Sequence, residues 1–234
     1  MAAQRVLKLG GRAGGIGHLH LKKLPVDPHS LWHEIVECGL PKAGLPAEVW
    51  QWRYHNWPRL VKPFLKLLAT ERLGVGYHFG KLHLCVIRGS GLAVPYGLAG
   101  LKAVTTVGVN FIVDAYQNLV ELEIMRYHGI GTGGAAEGAG NTLLTTELTT
   151  EYNPNSTRAT GSLTEGGTAN VFRTVGTNTL DSGTPSITEH GVFDSAPAAA
   201  GVLLDRTLFT AIALNGVNGD GLQSTYDHTQ VAGS

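Results

Sequence analysis

The sequence predicts a mainly β protein: an antiparallel β-sandwich, jelly-roll or Ig-like, with one short helix, preceded by a basic, partly helical N-terminal arm. Three observations carry this expectation. From residue 80 onward, apolar and polar residues alternate at period two, which turns one side of each strand toward a core. Turn signals separate the alternating runs, at Gly89-Ser90-Gly91, Gly129–Gly134, Asn153-Pro154-Asn155, Gly166-Gly167, Ser182-Gly183 and Asn218-Gly219-Asp220-Gly221. Gly makes up 32 of 234 residues and Thr is frequent beyond residue 105, a composition suited to turns and strands.

The elements follow in chain order. Residues 1–26 are basic and glycine-rich without a sustained period, and read as an arm. Asp27-Pro28 starts a turn and Ser30 can cap a helix. Leu31, Trp32, Ile35 and Val36 then recur at helical spacing up to Gly39. Residues 40–58, with three Pro and three Trp, are expected to be irregular. A second helix is predicted from Pro63, which suits a first helical position, to Leu73, with Gly74 beyond its end. Leu82, Leu84 and Val86 alternate with His83, Cys85 and Ile87, which predicts a strand over 81–88. Lys102–Val107, rich in Val and Thr, predicts another. Val109, Ile112, Val113, Tyr116, Leu119 and Val120 have helical spacing and mark the one helix of this part. Further strands are expected near 121–128, 143–150, 157–163, 168–177, 185–193, 201–210 and 221–231. The chain therefore divides into a Trp-rich arm over 1–79 and a sandwich over 80–234, with no internal repeat at a fixed period.

A net charge of zero conceals a division. Residues 1–90 contain 13 Lys+Arg against 5 Asp+Glu, and residues 91–234 contain 5 against 13, giving +8 and −8. All four Trp and both Cys lie in the basic part. That part favours an anionic surface, whereas the acidic part repels nucleic acid. Cys38 and Cys85 stand apart in sequence and are expected as free thiols. There is no secretory h-region and no apolar run near the roughly 20 residues that span a bilayer, so no membrane association is expected.

Chemistry-bearing patterns are weak. Gly129-Ile130-Gly131-Thr132-Gly133-Gly134 fits G-x-G-x-x-G, but this glycine content yields about 0.6 such matches by chance, and a Thr-rich run follows instead of a helix. A structural loop is the expectation. His33-Glu34 starts a zinc-protease pattern, but Glu37 stands where the second His belongs. His18 and His20 could share a metal on a strand, yet have no third ligand nearby. No cofactor, no metal and no catalytic residue is assigned. Glu189-His190 and Asp205-Arg206 fall on neighbouring predicted strands, and are read as a cluster fixing strand register in preference to an acid/base pair. Trp50-Gln51-Trp52-Arg53-Tyr54-His55-Asn56-Trp57 interleaves aromatics with cations. It suits a protein interface or local core better than a base- or sugar-stacking platform. The candidate partner-binding set is Trp50, Trp52, Arg53, Trp57, Arg59, Lys62, Lys66 and Arg72.

Residues 82–233 resemble a group of tailed-bacteriophage structural proteins. The resemblance is carried by Val104-Thr105-Thr106, Val109–Ala115, Tyr127–Gly133, Arg158–Gly161, Glu189-His190-Gly191-Val192-Phe193, Gly201–Phe209 and Asn218–Gln223. It implies a sandwich found in tail and capsid-associated proteins and brings no catalytic residues with it. The expected function is thus that of a virion structural protein, made in the bacterial host cytoplasm: a capsid decoration or cement protein that is not an enzyme. Its expected partners are the major capsid protein or other virion proteins, with copies in a homo-oligomer or symmetric array and no nucleic acid. The alternative is a tail or fibre module that binds a receptor or glycan.

Overall fold

A computed structural model of the chain describes residues 28–40, 44–73, 76–102 and 104–232. It is mainly β, with two antiparallel sheets packed face to face. The larger has strand order β2-β1-β9-β6-β5 and the smaller β4-β3-β7-β8. The strands are β1 (Tyr77–Ile87), β2 (Ala93–Lys102), β3 (Tyr127–Gly131), β4 (Ala159–Thr160), β5 (Thr164–Glu165), β6 (Val171–Thr179), β7 (Ser186–Phe193), β8 (Leu203–Ala213) and β9 (Gly221–Val231). The described helices are α1 (Pro28–Gly39), α2 (Ala47–Arg72) and α3 (Thr106–Tyr116).

The period-two reading of β1 holds in three dimensions. Leu82, Leu84 and Val86 are buried, while His83, Cys85 and Ile87 are half-buried. β1 and β6 flank β9 in unbroken antiparallel register, with Leu82 and Thr174 both opposite Tyr226. Both cysteines are free thiols.

Several elements differ from the sequence expectation, each for a physical reason. Residues 47–58 are not irregular: α2 runs through Pro58 and Pro63 as one helix. An interior proline costs about 3 kcal/mol in an isolated helix. The inward stripe Val49, Trp52, Asn56, Leu60 and Phe64, all buried, offsets that cost through tertiary packing. Lys102–Val107 is not a strand. β2 ends at Lys102, and Thr105 is the N-cap of α3, its hydroxyl accepting from the Gly108 N–H at 3.0 Å. Gly129–Gly131 is strand rather than turn, and 143–150 is a long connection that touches the sheet through the Gly131–Glu147 bridge. Residues 1–26, including His18 and His20, lie outside the described residues.

Nor are α1 and α2 an arm held apart from the sandwich. β2 and β8 are the edges of their respective sheets and lie side by side, and α2 straddles both. Edge strands present unpaired backbone groups, and α2 answers them with side chains. Asn56 donates from Nδ2 to the Ala99 carbonyl (2.9 Å) and accepts at Oδ1 from the Thr210 N–H (3.0 Å). Arg53 donates from Nε to the Tyr96 carbonyl (2.7 Å) and from a terminal nitrogen to that of Pro95 (3.1 Å). The Trp52 indole N–H donates to the Thr210 carbonyl. α1 then buries Leu31, Ile35 and Cys38 with Leu60 and Phe64 of α2 and with Leu98 and Leu101 of β2. The charge division at residues 90 and 91 thus falls between β1 and β2, while the core runs across it.

Truncating Asn56 would strand a carbonyl on β2 and an N–H on β8. Each unmet buried group costs about 1–3 kcal/mol. Asn56→Ala should lower unfolding free energy in a denaturant titration by about 2–4 kcal/mol, whereas Arg59→Ala, exposed one turn away, should stay within about 0.5 kcal/mol of the natural chain.

Candidate functional site

The four residues expected to cluster on β7 and β8 separate by strand alternation. Glu189 and Arg206 point to the outer face of the smaller sheet, and His190 and Asp205 to the face between the sheets. On the outer face Glu189 is fully buried. One carboxylate oxygen accepts from the N–H groups of Gly133 (3.1 Å) and Thr146 (2.8 Å). The other accepts from the Thr145 N–H (3.1 Å) and from Arg206 Nε (2.7 Å). Arg206 reaches on to the Ala135 carbonyl (3.1 Å) and the Thr145 hydroxyl (2.7 Å).

A second buried pair lies alongside. Arg158 makes a two-pronged contact with Glu147, at 2.6 and 2.8 Å. It also donates to the carbonyls of Ser195 (3.0 Å) and Ala200 (2.8 Å), and its guanidinium lies 3.4 Å above the Phe193 ring centre. Together the two pairs tie residues 132–158, which contain no regular strand, onto the sheet. The glycines of the G-x-G-x-x-G match make room for them. A Cβ at Gly129 would lie 2.7 Å from a Glu147 oxygen, and one at Gly133 would lie 2.3 Å from a Glu189 oxygen. The motif binds the chain's own carboxylates, as no phosphate-binding helix follows it.

Between the sheets runs a buried polar seam. His128 Nδ1 lies 3.0 Å from His190 Nε2, and its Nε2 lies 3.0 Å from the Thr174 hydroxyl. Asp205 accepts from Thr207 (2.9 Å) and Tyr226 (3.3 Å). Burial raises the Asp205 pKa to about 7 and lowers that of His128 to about 3. It also pushes His190 well below the usual histidine range, with a smaller contribution from His128. Such shifts mark catalytic sites when a cleft reaches them. Here His190, Asp205 and His128 have no exposed surface, so their shifts express polar groups held in their neutral forms between the sheets. Neither His128 nor Tyr226 was singled out by the sequence. The even spacing of 128, 130 and of 190, 192 would place His128 on an inner face, but nothing local identifies its partner.

The candidate partner set divides in three. Trp52 and Arg53 are engaged with β2 and β8 of the same chain. Trp50 and Trp57 are half-buried, with Trp57 packed between α1 and α2. Arg59, Lys62 and Lys66 are exposed, and the Arg72 side chain lies outside the described ones. Lys62 and Lys66 border a cleft of about 670 Å³ floored by Leu67 and Leu101 and shared with His78 and Lys102. At the other end of α3, a cavity of about 420 Å³ is lined by Phe111, Ile112, Met125, Phe172 and Leu204, with Glu123 and Glu165 beside it. Among the described residues no three His, Cys, Asp or Glu side chains converge as metal ligands, and no helix is long and apolar enough to cross a membrane. No known protein-family model matches the chain, and no curated protein is significantly similar to it in sequence.

Breaking a buried ion pair leaves an uncompensated charge, at a cost of about 3–5 kcal/mol. Glu147→Ala should therefore destabilise the fold by that amount, read by thermal melting, and should make residues 132–158 susceptible to limited proteolysis. The seam has its own pH signature. Asp205 stays protonated in the folded chain up to about pH 7 but ionises near 3.8 when unfolded. Its contribution is fully present below pH 3.8 and is lost as pH rises through 7. Asp205→Asn cannot ionise, so its stability relative to the natural chain should climb between pH 4 and 7, by at most about 1.4 kcal/mol per pH unit. A pH-independent difference would show that Asp205 is ionised in the fold.

Proposed function

We propose that this chain is a virion structural protein of a tailed bacteriophage, a capsid decoration protein that joins the shell through protein–protein contacts. The observation that carries the reading is where the resemblance falls. Glu189–Phe193 is most of β7, Gly201–Phe209 leads into and forms most of β8, and Asn218–Gln223 is the turn into β9. The resembling segments therefore follow one another as the closing part of a β-sandwich. The surface chemistry supports the same reading. Asp205, His128 and His190 are enclosed between the sheets, while the exposed apolar side chains Val109, Val113, Tyr116, Leu119 and Leu122 gather on α3 and the segment after it. An exposed apolar run on a rigid body suits contact with another protein.

Particles purified from infected cells should contain the chain in a copy number comparable to that of the shell subunit, read by quantitative mass spectrometry and by cryo-electron microscopy of the capsid surface. A few copies confined to the tail would replace decoration with the tail or fibre reading, and absence from particles would overturn both.

A further inference from the structure

We propose that copies of this chain associate head to tail, with the exposed segment 116–124 of one copy seated in the basic cleft between α2 and β2 of the next.

The donor is an apolar run that the fold leaves uncovered. The sequence gives α3 a stripe of Val109, Val113 and Tyr116 that continues to Leu119. The sandwich buries Phe111 and Ile112 instead, leaving Tyr116 72% and Leu119 68% exposed. Leu122 and Ile124 follow in a short 3-10 turn with their side chains in solvent. Glu121 and Glu123 are interleaved with them, exposed and without an ion-pair partner among the described residues. The surface is therefore apolar and anionic together.

The acceptor has the complementary chemistry. Lys62 and Lys66 stand one turn apart on the same side of α2, exposed and without an ion-pair partner among the described residues. Between them and β1–β2 lies the cleft of about 670 Å³, with Pro63, Leu67 and Leu101 as apolar floor and His78 at its side. The other two cations there are already neutralised, Lys102 by Glu137 and Arg206 by Glu189. The two free lysines leave the cleft with unbalanced positive charge for the two carboxylates of the donor. Apolar contact would supply affinity, and the lysine–glutamate pairing would set orientation.

A chain cannot satisfy itself this way. Thr105, the N-cap of α3, lines the cleft, and the 11-residue helix carries the donor about 16 Å away from it. The contact must be made between copies. Because donor and acceptor are different patches it is heterologous, and it builds a ring where the rotation closes and an open row where it does not. This contact is a property of the chain alone, so its failure would leave the decoration reading standing.

A charge-exchange experiment tests it on the purified full chain. In sedimentation velocity at low ionic strength, the natural chain should self-associate with rising concentration, less so in 0.5 M salt at roughly a 4–5 Å screening length. Lys62→Glu/Lys66→Glu and Glu121→Lys/Glu123→Lys should each weaken association at least tenfold, with melting temperatures unchanged because all four side chains are exposed. Mixing the two variants pairs an acidic cleft with a basic donor, and a basic cleft with an acidic one, so association should return. A natural chain that stays monomeric, variants that associate like it, or a mixture that remains monomeric would each overturn the proposal.

Discussion

The fold depends on closing the seam between two sheet edges. β2 ends one sheet and β8 the other, and neither has a strand neighbour on its outer side. α2 lies across both and supplies by side chain what a further strand would supply by backbone: Arg53 to β2, Asn56 to both, and Trp52 to β8. With that seam shut, Val49 and Trp52 join the same apolar core as Leu82, Leu84, Tyr226 and Ile130. At the opposite margins, β4 and β5 are only two residues long and offer little backbone to a stray strand. One pair of edges is covered and the other is blunt, which keeps an antiparallel sandwich from pairing indiscriminately.

A second constraint acts on the outer face of the smaller sheet. A connection of more than two dozen residues without regular strands would ordinarily be mobile. Here it is pinned by two carboxylates, Glu147 and Glu189, each holding an arginine and backbone N–H groups. Buried ion pairs contribute little net stability against an apolar alternative but are damaging to break, so their effect is to fix one arrangement of the loop. The glycines at 129, 131 and 133 belong to this arrangement, since a Cβ at any of them would strike a carboxylate or the Thr146 carbonyl. The inner seam works similarly: His128 reaches Thr174 and Tyr226 donates to Asp205 across the two sheets, while His128 and His190 meet within the smaller one, under a pH-dependent penalty.

These features leave the chemistry of the surface to a few elements. His128, His190 and Asp205 are enclosed between the sheets, whereas the apolar run after α3 and the side chains of Lys62 and Lys66 on α2 are exposed. α2, which carries Arg53, Arg59, Lys62 and Lys66, is folded onto β2 and β8 of the sandwich and does not extend from it.

What the sequence determined by itself was whatever repeats over short distances. The alternation of Leu82, Leu84 and Val86 with their half-buried neighbours, the strands ending near 177, 193, 210 and 231, and the helical spacing around Ile112 are all local patterns that a backbone period converts into an element. Tertiary structure decided the rest, for one reason: partners distant in sequence can outweigh local preference. Pro58 and Pro63 argue against a helix until the buried stripe of α2 meets β2 and β8. The threonines at 145 and 146 argue for a strand until their N–H groups find Glu189, and those at 105 and 106 until one of them caps α3. Trp52 and Arg53 carry the composition of an interface and do form one, but with edge strands of their own chain more than 40 residues away, a pairing that no local pattern encodes.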